Sequence, residues 1–316
     1  MPEKTARPSR GRLLRAGAAV VLLLALAGYF AAQYLTGGRT APRCRVASAD
    51  GAGYEFTAEQ ATNAATVAAV GGARGMPERA VTIALATALQ ESGLRNLTYG
   101  DRDSLGLFQQ RPSQGWGSKK QVMDPVYAAG KFYQHLAEVP DYAALPLTVA
   151  AQRVQRSGFP QAYAKHEPDA ALLAAALTGR TAGTLSCEGR PGPEPGDPAK
   201  VRAALERDFG PGVLSAAGAE AAGTRDGESP RTVAVPVPGT GAESRAVAAD
   251  RRGWALAHWA VANSSALHID KVRYAGREWT ASDEGRSPWR KAAGAGGPEA
   301  ADGRAGADEV LIGVTE

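Results

Sequence analysis

The chain has little of what most often holds metals or carries thiol chemistry: 2 cysteines, 4 histidines and 3 methionines in 316 residues. His135, His166, His258 and His268 stand apart, and His166-Glu167 lacks the second histidine that a zinc-binding helix needs. No metal and no cofactor is expected. No glycine-rich phosphate loop and no Gly-x-Ser-x-Gly elbow occurs, so the usual signatures of a nucleotide binder and of a serine hydrolase are missing. Charge of one sign is not gathered into a long block. The 36 Lys and Arg against 32 Asp and Glu leave a net +4 spread along the chain, which gives no support to a nucleic-acid partner. A second long apolar run is also absent, and a single span argues against a channel or transporter.

That single apolar run is at the start. Lys4, Arg7, Arg10, Arg12 and Arg15 precede residues 16–35, AGAAVVLLLALAGYFAAQYL, which carry no charge. As a helix such a run spans the ~30 Å of hydrocarbon in a bilayer. Tyr29 and Tyr34 lie near its far end, where aromatic rings favour the membrane interface, and the basic flank belongs on the cytoplasmic side. The expectation is a single-pass anchor with residues 36–316 outside the cell. A signal peptide is the competing reading, in which the chain is secreted after cleavage. The length of the run and the lack of a clear A-x-A site favour the anchor. In either case Cys44 and Cys187 meet oxidising conditions, where a disulfide is expected. They bracket one segment, and closing so long a loop contributes up to about 5 kcal/mol in the chain-entropy model.

Glycine (38) and proline (20) are raised, and much of that excess sits after residue 188, which divides the chain. Residues 1–43 read as basic tail, anchor and tether. Residues 44–187 read as a mainly helical domain, and 188–245 as a linker with one short helix at 198–210 followed by low-complexity sequence. Residues 246–316 read as a small α+β domain with a soft segment at 291–307. In the first domain Thr57 and Gln60 have capping-box spacing, and the helix they open closes on paired glycines. The next has Pro77 at a first-turn position and Gly93 past its end. Further helices fit 124–138, 147–157 and 168–178, and short strands fit near the 97–110 loop. In the tail, GWALAHWAVANSSAL is amphipathic, with Trp254, Leu256, Ala257, Ala260 and Val261 on its buried side. KVRYAGREWT reads as two short strands about an Ala-Gly turn, and Val310, Ile312 and Val314 alternate as in a strand. Trp254, Trp259, Trp279 and Trp289 are either core or a ligand-stacking surface.

Glu91 ends the second helix. It lies three residues past Ala88, four past Thr87 and seven past Ala84, so all share one face. A carboxylate on a small-residue face at the edge of a core is partly desolvated, and the negative end of the helix dipole is close. Both disfavour the ionised form and raise the pKa. A carboxyl poised near neutral pH can protonate a leaving oxygen. A glycine-broken loop follows, in which Gly106 lets backbone approach a ligand. Phe108 and Trp116 can pack on flat ligand faces, and Gln109, Gln110 and Gln114 can bond polar ligand groups. Asp101 and Asp103, in the same loop, are candidates for a second carboxylate. The alternative is that the Asp101-Arg102-Asp103 cluster orders the loop.

Glu91-Ser92-Gly93-Leu94 followed by Gly106-Leu107-Phe108-Gln109-Gln110 resembles the lysozyme-like superfamily, and lytic transglycosylases in particular. The run 44–187 is similar to lysozyme-like domains of actinobacterial exported proteins. The resemblance implies a mainly α lysozyme-like domain, α+β overall, after a transmembrane helix. It implies Glu91 as catalytic acid/base, Ser92 as its neighbour, and Gly106 to Gln109 lining a sugar groove. The family's third motif is an Ala-x-Asn-Ala-Gly type sequence. Here AAQRVQRSGFPQAY at 150–163 stands in its place, offering Gln155, Arg156, Ser157 and Tyr163. The implied partner is the peptidoglycan glycan strand, cut at the MurNAc–GlcNAc β-1,4 bond. Lytic transglycosylases use one acid, because the substrate's acetamido oxygen attacks C1 and its 6-hydroxyl then closes an anhydro ring. A non-catalytic glycan-binding or envelope scaffolding protein is the alternative. In it the tail domain, which is similar to small C-terminal modules of other envelope proteins, recruits a protein partner.

Overall fold

Thr57 ends a strand and starts a helix, and much of the helical layer is set by boundary residues of this kind. The computed structural model of the chain describes residues 43–48, 50–158, 161–189, 194–215, 231–237, 243–282, 288–292 and 308–316. The expected membrane segment at 16–35, the low-complexity run from 216 and the soft segment from 293 lie outside the described residues. Among the described residues no helix is long and apolar enough to cross a membrane.

The strands β1 (Arg43–Ala47) and β2 (Gly53–Thr57) pair antiparallel and lead into helix α1 (Ala58–Ala73). The expected capping box is formed. Thr57 Oγ1 accepts from Gln60 N at 3.3 Å, and Gln60 Oε1 accepts from Thr57 N at 2.8 Å, so two otherwise orphaned amides are satisfied. The paired glycines do not end this helix, which runs through them to Ala73. Gly71 serves packing instead, since a Cβ there would lie 2.7 Å from the hydroxyl of Tyr133. Helix α2 (Glu78–Ser92) ends on Gly93 in the left-handed region, φ 61°, as a glycine past a helix end does most readily. Short α3 (Lys119–Val122) leads to α4 (Pro125–Ala137), α5 (Leu147–Gln155) and α6 (Glu167–Leu177), each within two residues of the expected spans. Strand β3 (Leu185–Cys187) returns to β1, giving a 3-stranded sheet in the order β2-β1-β3. Cys44 and Cys187 face each other in its register and are bonded.

Helix α7 (Pro198–Phe209), capped by Asp197, and strand β4 (Thr232–Pro236) follow. Next come the long helix α8 (Glu243–Ala262), short α9 (Ser264–Leu267), and strands β5 (Ile269–Tyr274), β6 (Arg277–Thr280), β7 (Arg290–Lys291) and β8 (Glu309–Val314). They form a 5-stranded sheet in the order β4-β8-β5-β6-β7. The β5–β6 turn has positive φ at both central residues, 47° at Ala275 and 68° at Gly276, the geometry of the two-residue hairpin that matches strand twist. Val310, Ile312 and Val314 alternate inward as their spacing predicts.

The division into separate cores over 44–187 and 246–316 is not seen among the described residues. The segment Pro42–Glu316 is one compact unit, and α8 is the reason. Trp254, Leu256, Ala257, Ala260 and Val261 are buried as expected, but so are Gly253, His258, Trp259 and Ala262. From Gly253 to Ala262 the helix is buried on nearly every side, which puts that part inside a core rather than on it. Helix α8 packs on α1, α6 and β3 on one side and on β5 and β8 on the other. Trp254, Trp259 and Trp279 are accordingly core, and Trp289 donates its Nε1–H to Leu185 O of β3 at 2.9 Å. The fold is α+β.

Asp208, whose side chain is fully buried, ties this junction together. Its Oδ2 accepts from Thr66 Oγ1 of α1 at 3.0 Å and from Trp259 Nε1 of α8 at 2.8 Å, and its Oδ1 accepts from Arg207 Nε at 2.8 Å. Removing one member of a buried polar group leaves the others unpaired. Asp208→Ala is therefore expected to lower folding stability by about 3 kcal/mol. Denaturant unfolding would measure this, and a loss below about 1 kcal/mol, the size of a single ordinary hydrogen bond, would show that the junction is held by packing alone.

Candidate active site

The site is built where the last turn of α2 meets a tight hairpin. Thr87, Ala88 and Ala84 are fully buried, so the face that Glu91 shares with them turns into the protein, as the spacing predicts. Glu91 itself is half-buried. Ser92 behind it is buried, and its Oγ donates to Leu107 O at 2.7 Å and also bonds Ala88 O at 3.1 Å. This hydroxyl accepts from Arg95 N at 3.2 Å as well. Its bonding capacity is thus taken up in fastening the helix end to the hairpin, and Ser92 is a positioning residue rather than a ligand contact.

The hairpin is held by bridges between Leu97 and Gly106 and between Leu105 and Gln110. Gly106 has φ 78°, and a Cβ at this position would lie 2.3 Å from Val122 O. The glycine thus serves both a left-handed backbone and a close approach. Its near neighbour is protein backbone, which departs from the expected approach to a sugar. Leu107 and Phe108 are fully buried, with Phe108 stacked on Phe132 at 4.8 Å between ring centroids. The expectation that Phe108 packs on a sugar face is therefore corrected: its ring belongs to the core, and its functional atom is the carbonyl oxygen. Gln110 is buried and donates to Ala128 O at 3.0 Å, so it too faces inward. Gln109 donates to Tyr99 O at 3.3 Å and to Gly106 O at 3.2 Å, steadying the preceding loop.

The run at 150–163 reaches this hairpin from α5. Gln155 Nε2 donates to Phe108 O at 2.8 Å, and Tyr163 donates its hydroxyl to Glu91 Oε1 at 2.7 Å. Burial raises the Glu91 pKa above the ordinary glutamate value, while the Tyr163 and Gln155 hydrogen bonds oppose it in part. The net direction is upward, as desolvation of a carboxylate dictates. Tyr163 is buried. Its phenol is raised first by burial and then by the Glu91 charge and hydrogen bond, with a Ser157 hydrogen bond acting the other way. Ser157 thus joins the cluster behind Tyr163. Arg156, in contrast, is the exposed left-handed cap of α5, φ 51°.

The other candidates have partners of their own or stand exposed. Asp103 accepts from Arg111 Nε at 2.9 Å, from Ser113 N at 2.8 Å and from Ser113 Oγ at 3.0 Å. The Arg111 guanidinium and these bonds hold its carboxyl far below the usual range. Such a group stays ionised and orders its loop. Asp101 is exposed, and no charged side chain figures among the causes of the Glu91 shift. Trp116 packs edge-on against His135 of α4 at 4.6 Å between ring centroids. Sequence reasoning missed the approach of His166 Nε2 to Gln90 Oε1 at 3.2 Å. That pair joins residues 76 apart, and no local pattern announces it. Among the described residues no group of three or more His, Cys, Asp or Glu is placed to hold a metal. No family profile matches this chain, and no curated protein matches it.

Proposed function

We propose that the protein cleaves the MurNAc–GlcNAc β-1,4 bond of peptidoglycan, as a lytic transglycosylase with Glu91 as its single acid/base. The observation that carries this reading is Glu91 itself: a half-buried carboxyl with a raised pKa, its Oε1 held at 2.7 Å by Tyr163. The chemistry needs one proton moved twice. Glu91 gives its proton to the glycosidic oxygen as the C1–O bond breaks and the substrate's acetamido oxygen closes on C1. The Glu91 carboxylate then takes the proton of the 6-hydroxyl, whose oxygen displaces the acetamido oxygen to form a 1,6-anhydro ring. The carboxyl ends protonated, as it began. A second carboxylate is not required, which fits an Asp103 already engaged by Arg111. The resemblance of the two motifs to lytic transglycosylases supports the same reading. So does the apolar run at 16–35, which would tether the enzyme to the outer face of the cell membrane next to its polymer.

Mass spectrometry of the products released from purified cell walls tests it. Fragments with 1,6-anhydro ends are expected. Reducing ends would instead mean a hydrolase with a water nucleophile. Binding to walls with no soluble product would sink the enzymatic reading and leave a glycan-binding envelope protein.

A further inference from the structure

The loop after α2 also builds a pocket of about 420 Å³ whose lining does not include Glu91. Arg102 and Lys119 line it together with Tyr99, Leu105, Met123 and Asp103. Its charge balance is cationic. Asp103 is already neutralised by Arg111 and Ser113. Arg102 approaches Asp101 only at 3.9 Å, with both side chains largely exposed, and such a pair contributes at most about 1 kcal/mol. Lys119 has no ion-pair partner among the described residues. Tyr99 is 69% exposed, one of the few large hydrophobic side chains turned outward among the described residues. The loop nonetheless has a fixed shape. Gln109 clamps Tyr99 O, Ser104 N donates to Asp101 O at 3.0 Å, and Arg102 holds a positive φ of 58°. Two cations and an aromatic face on an ordered loop suit a ligand with carboxylates on a compact, partly apolar body.

The pocket and Glu91 both draw on the same hairpin: Phe108 O accepts from Gln155, which also bonds toward Glu91, while Leu105 lines the pocket and Gln109 donates to Tyr99 O at its rim. A polymer with its sugar bond at Glu91 would bring its side branch past this rim. We propose that the pocket binds the carboxylate-bearing peptide that wall glycan carries on its muramic acid residues. Arg102 and Lys119 hold the carboxylates and Tyr99 covers the apolar stem. This rests on the function proposed above.

The test uses the full chain in detergent and a synthetic L-alanyl-γ-D-glutamyl-L-lysine tripeptide, titrated calorimetrically. Wild type is expected to bind it. The Arg102→Ala/Lys119→Ala pair should weaken binding by at least about tenfold, the scale of one charge-assisted contact, as should amidation of the peptide's carboxylates. Arg102→Lys, which keeps the charge, should recover part of the loss. No binding by wild type, or equal binding by the double variant, overturns the proposal, as does tighter binding of a glycerol-phosphate oligomer than of the tripeptide. Peptide-free glycan provides the second arm, and the double variant should cleave it like wild type. If no glycan is cleaved but tripeptide binding still depends on Arg102 and Lys119, the enzymatic reading fails and the peptide site stands. If glycan is cleaved and tripeptide is not bound, the reverse holds.

Discussion

Glu91→Gln is expected to lower wall cleavage by about 10²- to 10⁴-fold, the usual contribution of a positioned general acid, while leaving the protein at least as stable at neutral pH. The two halves of this expectation have one cause. Burial raises the pKa of Glu91, so the folded protein favours the protonated carboxyl more than the unfolded chain does. Its contribution to stability is complete below the unfolded glutamate value and is lost as pH rises through the higher folded value. Glutamine cannot ionise, so the variant escapes that loss. Denaturant midpoints measured between pH 4 and 7 should show the variant gaining on wild type as pH rises, and digestion of purified walls reads the activity. A variant that digests walls as well as wild type would end the assignment of Glu91. Tyr163→Phe separates tuning from chemistry. It removes a hydrogen bond that favours the carboxylate, so the Glu91 pKa should rise further and the alkaline limb of activity should move to higher pH.

Breaking the Cys44–Cys187 bond is expected to produce the largest loss of stability of any simple change. The bond closes a loop across a sequence separation of 143. In the chain-entropy model, crosslinking so long a loop stabilises by about 5 kcal/mol through the unfolded ensemble. A Cys44→Ala/Cys187→Ala protein, or wild type under reductant, should unfold roughly 10–20 °C lower, since ~1 kcal/mol shifts the midpoint by ~2–4 °C in a domain of this size. Thermal unfolding with and without reductant measures it, and coincident midpoints would refute it. The strand pair that carries the cysteines has its own ladder, with Arg45 opposite Ser186 and Val46 opposite Leu185. The reduced protein should therefore keep its fold at moderate temperature.

The local features of this chain were legible because they depend on neighbours in sequence. Thr57 and Gln60 announced a capping box, Gly93 a helix end, and the i, i+3, i+4 spacing of Thr87, Ala88 and Glu91 a carboxyl turned toward the core. Phe108 shows where that kind of reasoning stops. An aromatic in a polar loop reads as a ligand platform, but its direction was set by Phe132, contributed by a different helix. Ser92 is similar. Its place beside Glu91 was evident, whereas its bond to Leu107 O depends on how the hairpin folds back. Helix α8 reads as amphipathic because one stripe is richest in large apolar residues. Its other faces carry Gly253, His258, Trp259 and Ala262, and only the presence of layers on both sides showed that these are buried too. Gly253 is the clearest case, since a Cβ there would meet the Tyr274 ring at 1.9 Å.

By itself the sequence determined the capping box that opens α1, the Gly93 end of α2, the approximate spans of α4 to α6, the alternation in β8, and the carboxyl in the last turn of α2. Each follows from backbone geometry acting over a few residues. Tertiary structure alone decided that Tyr163 and Gln155 stand over Glu91, that Asp103 is neutralised by Arg111, and that Asp208 joins three helices through Thr66, Arg207 and Trp259. Those outcomes depend on which buried polar groups found partners, and a buried donor or acceptor takes its partner wherever packing supplies one, however far away along the chain.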